Sequence, residues 1–303
     1  MALIALTGAT GFIGRHLLRE LPKRGHRIRV LLRRPSEVPL DCASAVVGDL
    51  ARPRNMAAAL ADVDAVIHSA AIGRVSGLPE DDFRVLNTEA TIGLARAAEQ
   101  ARAKRFIFLS SVRAQSGPGD EAVLTEDREP RPTDAYGRSK LAAEVGLGQL
   151  GLDWVALRPV LVYGPGMTGN LAALGQLARA PYPLPLAGLT GRRSLLSVEN
   201  LADAIDTVIA VPAPLRRPLI VADAEALTVP DMVAAMRRGL GRRPGLFPVP
   251  DIVLQTALRA LGRTEWHQRL AGSLVADASA LRRLGWTPRI QTPDGLSALM
   301  RTL

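Results

Sequence analysis

Short apolar runs alternate with segments of helical spacing over the first two-thirds of the chain. The runs predict six buried strands, and the segment 12–24 after the first run places Ile13, Leu17 and Leu21 on one helical face. Buried strands that alternate with helices indicate a doubly wound parallel α/β sheet, the Rossmann arrangement. The strands are expected at 2–6, 27–32, 44–49, 64–71, 105–111 and 154–159, and the other helices near 55–61, 80–102 and 134–150.

Composition narrows the class of protein. The 303 residues are 48% hydrophobic and 22% charged, as in an ordinary globular protein, and the single cysteine, Cys42, excludes a disulfide framework. The first seven residues lack a basic signal-peptide region and no apolar run is long enough to span a membrane, so we expect a cytoplasmic protein without a span. The net charge is +9, but its arginines are scattered in pairs, which argues against a nucleic-acid partner. The histidines lack metal-ligand spacing, so no metal is expected.

Three glycines stand three residues apart in "LTGATGFIG", between the first strand and the first helix. Gly8 allows a tight turn, Gly11 lets the backbone approach a pyrophosphate, and Gly14 lets the helix pack closely on the sheet. This context predicts dinucleotide binding by residues 1–165. After residue 165 the strand–helix rhythm loosens, so residues 166–303 are expected to form a smaller substrate-binding part, with some segments returning to the sheet.

The end of the second strand bears on the choice of cofactor. Sites for NAD usually carry an acidic residue there, whereas this chain has Arg33 and Arg34, which can pair with a 2′-phosphate. NADP(H) is therefore favoured, with NAD(H) as the alternative. Asp49, after the third strand, is a candidate acceptor for the adenine amino group, or an ordinary residue at a helix approach.

Candidate chemistry lies in "FLSSVRAQ" (108–115) and "DAYGRSK" (134–140). Tyr136 and Lys140 are four residues apart and share a helix face. Because a neighbouring ammonium favours the phenolate, Lys140 would lower the tyrosine pKa from its usual value near 10. Ser110 and Ser111 end the fifth strand, where a hydroxyl can hold a carbonyl or alkoxide oxygen.

The segments "TGATGFIG", "HSAA", "LSS", "YGRSK" and "RPVLVYGPG" resemble the extended short-chain dehydrogenase/reductases, the NAD-dependent epimerase/dehydratase group. The resemblance implies that Ser111, Tyr136 and Lys140 are catalytic, and that Lys140 also binds the nicotinamide ribose. It further implies cofactor contacts from Tyr136 and from a set spread along the sheet edge: Phe12, Ile13, Leu50, His68, Ala70, Ala71, Asn87 and Pro159.

The C-terminal segments 169–174, 191–205 and 269–286 resemble bacterial nucleotide-sugar enzymes, namely reductases of UDP-4-keto-6-deoxy-HexNAc and UDP-hexose 4-epimerases. This similarity implies that Asn170 and Arg193 hold the substrate diphosphate, with Arg192 as a neighbouring candidate. The chain has "SSVRAQSG" where that subgroup has "SSIKVNGE", so Arg113 and Gln115 depart from the pattern in a stretch that borders the sugar pocket.

The sequence leaves three functions open and favours the first, because the arginines after the second strand suit NADP(H). The first is reduction of a UDP-4-keto-6-deoxy-HexNAc at C4, and the second is 4-epimerisation of a UDP-hexose with a retained cofactor. The third is a redox-silent dinucleotide-binding sensor or assembly protein on the same fold. A homodimer is expected, because the helices near 80–102 and 134–150 carry small residues beside leucines, as in dimers of the resembled family: Leu86, Leu94, Leu141 and Leu147.

Overall fold

Seven parallel strands form the central sheet in the described part of the computed structural model, which comprises residues 1–39, 41–73, 77–260 and 271–302. The strand order is β3-β2-β1-β4-β5-β6-β9, which confirms the doubly wound α/β fold. All six predicted strands are present. Their bounds are Leu3–Thr7 (β1), Arg27–Leu32 (β2), Ala43–Val46 (β3), Ala65–His68 (β4), Arg105–Leu109 (β5) and Trp154–Pro159 (β6), and the seventh is Arg217–Val221 (β9).

Alternation along the central strand divides the core between the two faces of the sheet. Ile4 and Leu6 pack with one group of helices, and Ala5 packs with the other. The first group is Phe12–Lys23 (α1) and Val198–Ala210 (α7), and the second is Met56–Ala59 (α2), Ala90–Gln100 (α4) and Ala135–Gly148 (α5). Because all seven strands are parallel, their carboxyl ends meet at one edge, where the candidate residues lie.

The helix expected over 80–102 is not continuous. It consists of Glu80–Phe83 (α3), a π-helical stretch Arg84–Glu89, and α4. The wider π turn coincides with Asn87 and Thr88, which are buried and form hydrogen bonds to neighbouring segments.

A smaller three-stranded sheet lies in the C-terminal part, in the order β10-β8-β7. Its core joins Leu171, Leu195, Met232 and Leu299. The strand β9 leaves this region and pairs with β6 of the central sheet. The elements are Leu161–Tyr163 (β7), Asn170–Ala178 (α6), Arg192–Ser197 (β8), Ala226–Thr228 (β10), Val229–Gly239 (α8), Asp251–Ala260 (α9), Ser279–Arg282 (α10) and Thr292–Thr302 (α11).

None of the helices in the described residues is long and apolar enough to cross a bilayer. The C-terminal motif at 269–286 is described from residue 271 onward, since residues 269 and 270 lie outside the described residues.

Candidate active site

The glycine loop connects β1 to α1, and at two of its three glycines a Cβ would collide with neighbouring backbone. Gly8 has φ of +71°, and a Cβ there would lie 2.5 Å from Ala70 N. A Cβ on Gly14 would collide with Gly8 O. A Cβ on Gly11 would meet only Gly8 O, at a tight 3.3 Å, so the chain's own packing restricts this position less than the other two.

Gly11 is the N-cap of α1, with no side chain capping the helix. The space in front of the first turn is thus left to a ligand, and its free N–H groups and positive dipole end suit phosphate oxygens. The loop therefore fits a dinucleotide. Phe12 and Ile13 begin the helix, where Phe12 packs edge-on against His16 and Ile13 against the core.

Arg33 and Arg34 are exposed where β2 ends. Arg33 Nε lies 3.9 Å from Asp49 Oδ2, and Asp49 Oδ1 accepts the backbone N–H of Ala51 at 3.0 Å. Asp49 therefore shapes its own turn and faces a guanidinium. Leu50 packs against the core.

His68 is buried, and both of its ring nitrogens are hydrogen bonded inside the protein. Thr7 Oγ1 lies 2.7 Å from Nδ1, and Thr91 Oγ1 lies 2.9 Å from Nε2. Since Thr91 donates its hydroxyl hydrogen to Asn87 O, it accepts from Nε2, and Nδ1 accepts from Thr7. Burial lowers the pKa of His68 to about 3, so the ring stays neutral. Any cofactor contact at this position would have to come from the backbone.

Asn87 fastens the segment after β4 to the catalytic helix. Its Oδ1 accepts from Ile72 N at 2.8 Å, and its Nδ2 donates to Ile72 O and to Ser139 Oγ, each at 3.1 Å. Ala70 and Ala71 lie in the segment that this amide anchors, and Ala70 N donates to Thr7 Oγ1 at 3.3 Å. Asn87 thus links the loop beside Gly8 to the helix that carries Tyr136.

Ser111, Tyr136 and Lys140 come together where β5 ends. Lys140 is 2% exposed, its Nζ donates to Leu109 O at 2.8 Å, and it lies 5.8 Å from the centre of the Tyr136 ring. Burial lowers the pKa of Lys140 to about 7. Ser111 follows Leu109 by two residues, and its Oγ accepts the backbone N–H of Arg113 at 3.1 Å.

The start of α5 is held against the backbone beside Ser111. Asp134 caps the helix by accepting from Gly137 N at 2.7 Å, and its other oxygen accepts from Arg113 Nη2 at 2.7 Å. A Cβ on Gly137 would collide with Arg113 O, so Gly137 permits this close approach. The contact sets Tyr136 beside the segment 111–113.

A cavity of about 750 Å³ opens next to Ser111, between the two parts of the chain. Its walls are mostly leucine, valine and proline side chains, and Pro159 at the end of β6 is among them. Four other members of the wall are the polar candidates Ser111, Arg113, Asn170 and Arg193.

Two arginines that line this cavity carry buried donors without partners. Within the described parts of the chain, buried Nε and Nη1 of Arg113 and Nε of Arg193 have no hydrogen-bond partner. Arg193 Nη1 donates to Pro118 O at 3.1 Å. Arg192 instead points away, donating from Nε and Nη2 to Ala226 O, and does not line the cavity.

Gln115 does not border this cavity, contrary to what the departure from the subgroup pattern suggested. It is 2% exposed, and its amide is bound by Arg158 and by backbone carbonyls. A buried pair behind Ser110, Glu144 with Arg158, was not predicted from the sequence. Their only local signals were an arginine inside an apolar strand and an acid one turn after Lys140.

Comparison with known proteins identifies the family. The model of the NAD dependent epimerase/dehydratase family matches residues 4–221. The chain belongs to this family. It is 33% identical, over 96% of its length and 92% of the relative's, to a UDP-glucose 4-epimerase of Vibrio cholerae. It is also 32% identical, over 84% and 75%, to a ceramide reductase of Caulobacter vibrioides.

Solved structures agree with this assignment. MoeE5 in complex with UDP-glucose and NAD superposes with a TM-score of 0.75, at 28% identity over 98% of this chain and 97% of that one. The chain is therefore an enzyme of the extended short-chain dehydrogenase/reductase type that uses a nicotinamide dinucleotide. The described residues include no group of three metal-binding side chains.

Proposed function

We propose that this enzyme transfers hydride at C4 of a nucleotide-diphosphate sugar, and that it reduces a UDP-4-keto-6-deoxy-HexNAc. The observation that supports the proposal concerns Arg113 and Arg193: both line a cavity that starts at Ser111, and both carry buried N–H groups that have no hydrogen-bond partner among the described residues. Buried donors without partners favour an anionic ligand, and an arginine fork suits a diphosphate. Asn170 on the same wall would add an amide contact.

The cofactor supplies the hydride when bound, and the residues of this chain manage the charge and the proton. Ser111 Oγ already accepts a backbone N–H, so its own hydrogen is available to the substrate oxygen. Tyr136 delivers the proton as negative charge develops there. The ammonium of Lys140, 5.8 Å from the ring, makes the phenol more acidic and holds the ribose.

The reductase proposal is tested by incubating the enzyme with UDP-4-keto-6-deoxy-HexNAc and NADPH and identifying the product by NMR. We expect loss of NADPH absorbance together with one C4 stereoisomer of the reduced sugar. No turnover of this substrate would overturn the reductase proposal.

An epimerase remains the second candidate, because a relative with 33% identity is named UDP-glucose 4-epimerase. An epimerase would interconvert UDP-glucose and UDP-galactose without added cofactor and would retain NAD through purification. A reductase would release its cofactor after each turnover, so cofactor content after purification separates the two.

Neighbouring arginines provide a matched test of substrate binding. Arg193→Gln should raise KM for the UDP-sugar about tenfold or more, because a charge-assisted contact is lost. Arg192→Gln, one residue earlier on β8, should leave KM unchanged, because Arg192 does not line the cavity. Equal effects of the two substitutions would contradict the placement of the diphosphate beside Arg193.

We also propose that NADP(H) is preferred over NAD(H), on the basis of exposed Arg33 and Arg34 at the end of β2. Changing them to Asp and Ser should weaken binding of NADPH while leaving NADH affinity similar, since only the former carries a 2′-phosphate. Arg27→Ser, at the opposite end of the same strand, is the control. Equal affinities of the natural protein for the two cofactors, measured by fluorescence titration, would refute the preference.

A further inference from the structure

A buried ion pair lies directly behind the proposed catalytic groups. Glu144 on α5 and Arg158 on β6 are each about 4% exposed or less, and Arg158 Nη2 is 2.5 Å from Glu144 Oε2. Arg158 Nε also donates to both carboxylate oxygens, at 3.1 and 3.2 Å. Ser110 donates its hydroxyl to the same carboxylate.

The pair is linked through Gln115 to the backbone of Thr125 and Arg128. Arg158 Nη1 donates to Gln115 Oε1 at 3.0 Å, and Gln115 Nε2 donates to Arg128 O at 3.2 Å and to Thr125 O. All the polar atoms named here are satisfied, which is the condition for a buried charge pair to be tolerated.

Glu144 and Lys140 lie one turn apart on the same helix, and each is fastened to the end of β5. Lys140 binds the carbonyl of Leu109, and Glu144 binds the hydroxyl of Ser110. Ser111 is the next residue. Two successive turns of α5 are therefore held in a fixed position relative to the serine.

Among the described residues, Glu144 is the anion that acts on Lys140. Its own helix contributes Glu144 and the Tyr136 ring, and β4 contributes neutral His68. The strand β5 contributes the Phe108 ring, 4.5 Å from Nζ, and the Leu109 carbonyl, while β6 contributes Arg158 behind Glu144. Burial lowers the pKa of Lys140, and Glu144 acts in the opposite direction.

We propose that Glu144 and Arg158 are positioning residues for catalysis: Arg158 and Ser110 hold the Glu144 carboxylate in place one helical turn from Lys140, and that carboxylate keeps Lys140 in its ammonium form beside Tyr136. The inference rests on the role of Lys140 in the proposed function. A purely structural pair would hold α5 in place without affecting the protonation of Lys140.

The protonation of Lys140 can be measured directly, because the chain contains three lysines. Lys23 and Lys104 have exposed side chains and serve as internal references in an NMR titration of ¹³Cε-labelled lysine. We expect the Lys140 signal, assigned by its loss in Lys140→Met, to titrate near pH 7 in the natural protein.

Substitutions at the two partners should move this midpoint in opposite directions. Glu144→Gln leaves Arg158 as an unpaired cation and should lower the midpoint by about 1 pH unit or more. Arg158→Gln leaves the anion and should raise it. An unchanged midpoint in a folded Glu144→Gln protein would overturn the proposal.

Two further variants control for folding. The double variant Glu144→Gln/Arg158→Gln removes both charges and keeps amides in their place, and its midpoint should also fall below the natural one, since the anion is gone. Asp153→Asn breaks a partly buried pair, Arg105–Asp153, at the amino end of β5. It should reduce thermal stability and leave Lys140 unaffected, and a shift equal to that of Glu144→Gln would contradict the proposal.

The titration needs no substrate, which separates this inference from the proposed function. Shifted midpoints in a protein that does not reduce the UDP-sugar would sustain the inference and refute the reaction. Turnover of the UDP-sugar with unshifted midpoints would sustain the reaction and refute the inference. In an active enzyme, kcat should fall as the pH rises and Lys140 loses its proton, and this alkaline limb of the pH profile should move with the NMR midpoint of each variant.

Discussion

The single residues Tyr136 and Tyr182 are both tyrosines near the candidate site, but their surroundings differ. Tyr136 lies beside the buried ammonium of Lys140, whereas Tyr182 is an exposed residue of the cavity wall. Only the former has the surroundings that stabilise a phenolate.

Tyr136→Phe should reduce kcat by about 10²–10⁴-fold, the usual contribution of general acid catalysis. Affinity for NADPH should persist, because the aromatic ring remains. Steady-state rates with the keto-sugar and fluorescence titration of NADPH measure the two effects. Tyr182→Phe should change kcat by less than about threefold. Retention of most of the turnover by Tyr136→Phe would show that another group delivers the proton.

His68 predicts how stability depends on pH. Its pKa is about 3 in the folded protein, compared with 6.5 for a free histidine side chain. Below pH 6.5 the unfolded chain therefore binds a proton that the folded chain does not, and stability falls as the pH decreases towards 3.

This histidine should remove about 2 kcal/mol of stability between pH 7 and pH 5. Urea unfolding at the two pH values measures the loss. His68→Gln cannot titrate, so its loss over this range should be smaller by about that amount, whatever its stability at pH 7. Equal losses in the two proteins would mean that His68 is protonated in the fold.

Among the secondary-structure elements, the helices α5 and α8 each have a side-chain N-cap, one at the candidate site and one away from it. Asp134 caps α5 beside the proposed catalytic tyrosine, and Thr228 caps α8 through a capping box with Asp231. Asp134 also binds Arg113 of the cavity wall. Both caps are expected to stabilise their helices, but only the Asp134 cap also contacts a residue of the cavity wall. Comparing variants at the two caps therefore distinguishes a loss of helix stability from a loss of function.

Asp134→Ala and Thr228→Ala should each cost roughly 0.5–2 kcal/mol of unfolding free energy. Asp134→Ala should also lower kcat/KM, because Arg113 and the start of α5 lose their common anchor. Thr228→Ala should leave kcat/KM unchanged. Denaturant unfolding and steady-state kinetics on both variants check the prediction, and equal kinetics would exclude a functional role for the Asp134 cap.

The secondary-structure elements differ in how far the sequence predicts them. Apolar periodicity and glycine spacing are local signals, and they predicted six strands and the loop from β1 to α1. The π-helical stretch coincides with the hydrogen bonds between Asn87 and the backbone of Ile72, a contact between segments that no local pattern encodes. The strand β9 has an apolar run of three residues, and its place beside β6 depends on tertiary packing.

Side-chain partners were the least predictable part of the candidate site. Arg192 and Arg193 are adjacent in sequence, and strand alternation sends them in different directions. The sequence could not indicate which of the two would face the cavity. In the same way, Arg158 in an apolar strand shows that a partner must exist, but not that it is Glu144.

At the scale of the whole molecule, the packing of α4 and α5 bears on assembly. Leu94 and Leu147, expected at a dimer interface, are buried against the sheet, and a Cβ on Gly146 would collide with Ile92 of α4. The small-residue contact thus joins these helices within one protomer. An apolar side chain remains at the surface of α5, where Val145 is 59% exposed.

We still predict a homodimer in which the two helices of each protomer form a four-helix interface. Val145→Asp should shift it towards monomer, because a carboxylate would be buried at the contact. Val123→Asp, which changes a similarly exposed valine elsewhere, is the control. Sedimentation velocity at micromolar concentration measures both, and a monomeric natural protein would refute the interface.

The positions of the lysines have a practical consequence for attaching the enzyme to a surface. Lys23 ends α1 and Lys104 precedes β5, so both exposed side-chain amines lie at the amino edge of the sheet, opposite the cavity, while Lys140 is enclosed. A support bearing activated esters should therefore couple these side chains through the rear of the molecule. The immobilised enzyme would present the mouth of its cavity to the flowing solution, and amine coupling would leave its ammonium beside Tyr136 chemically intact.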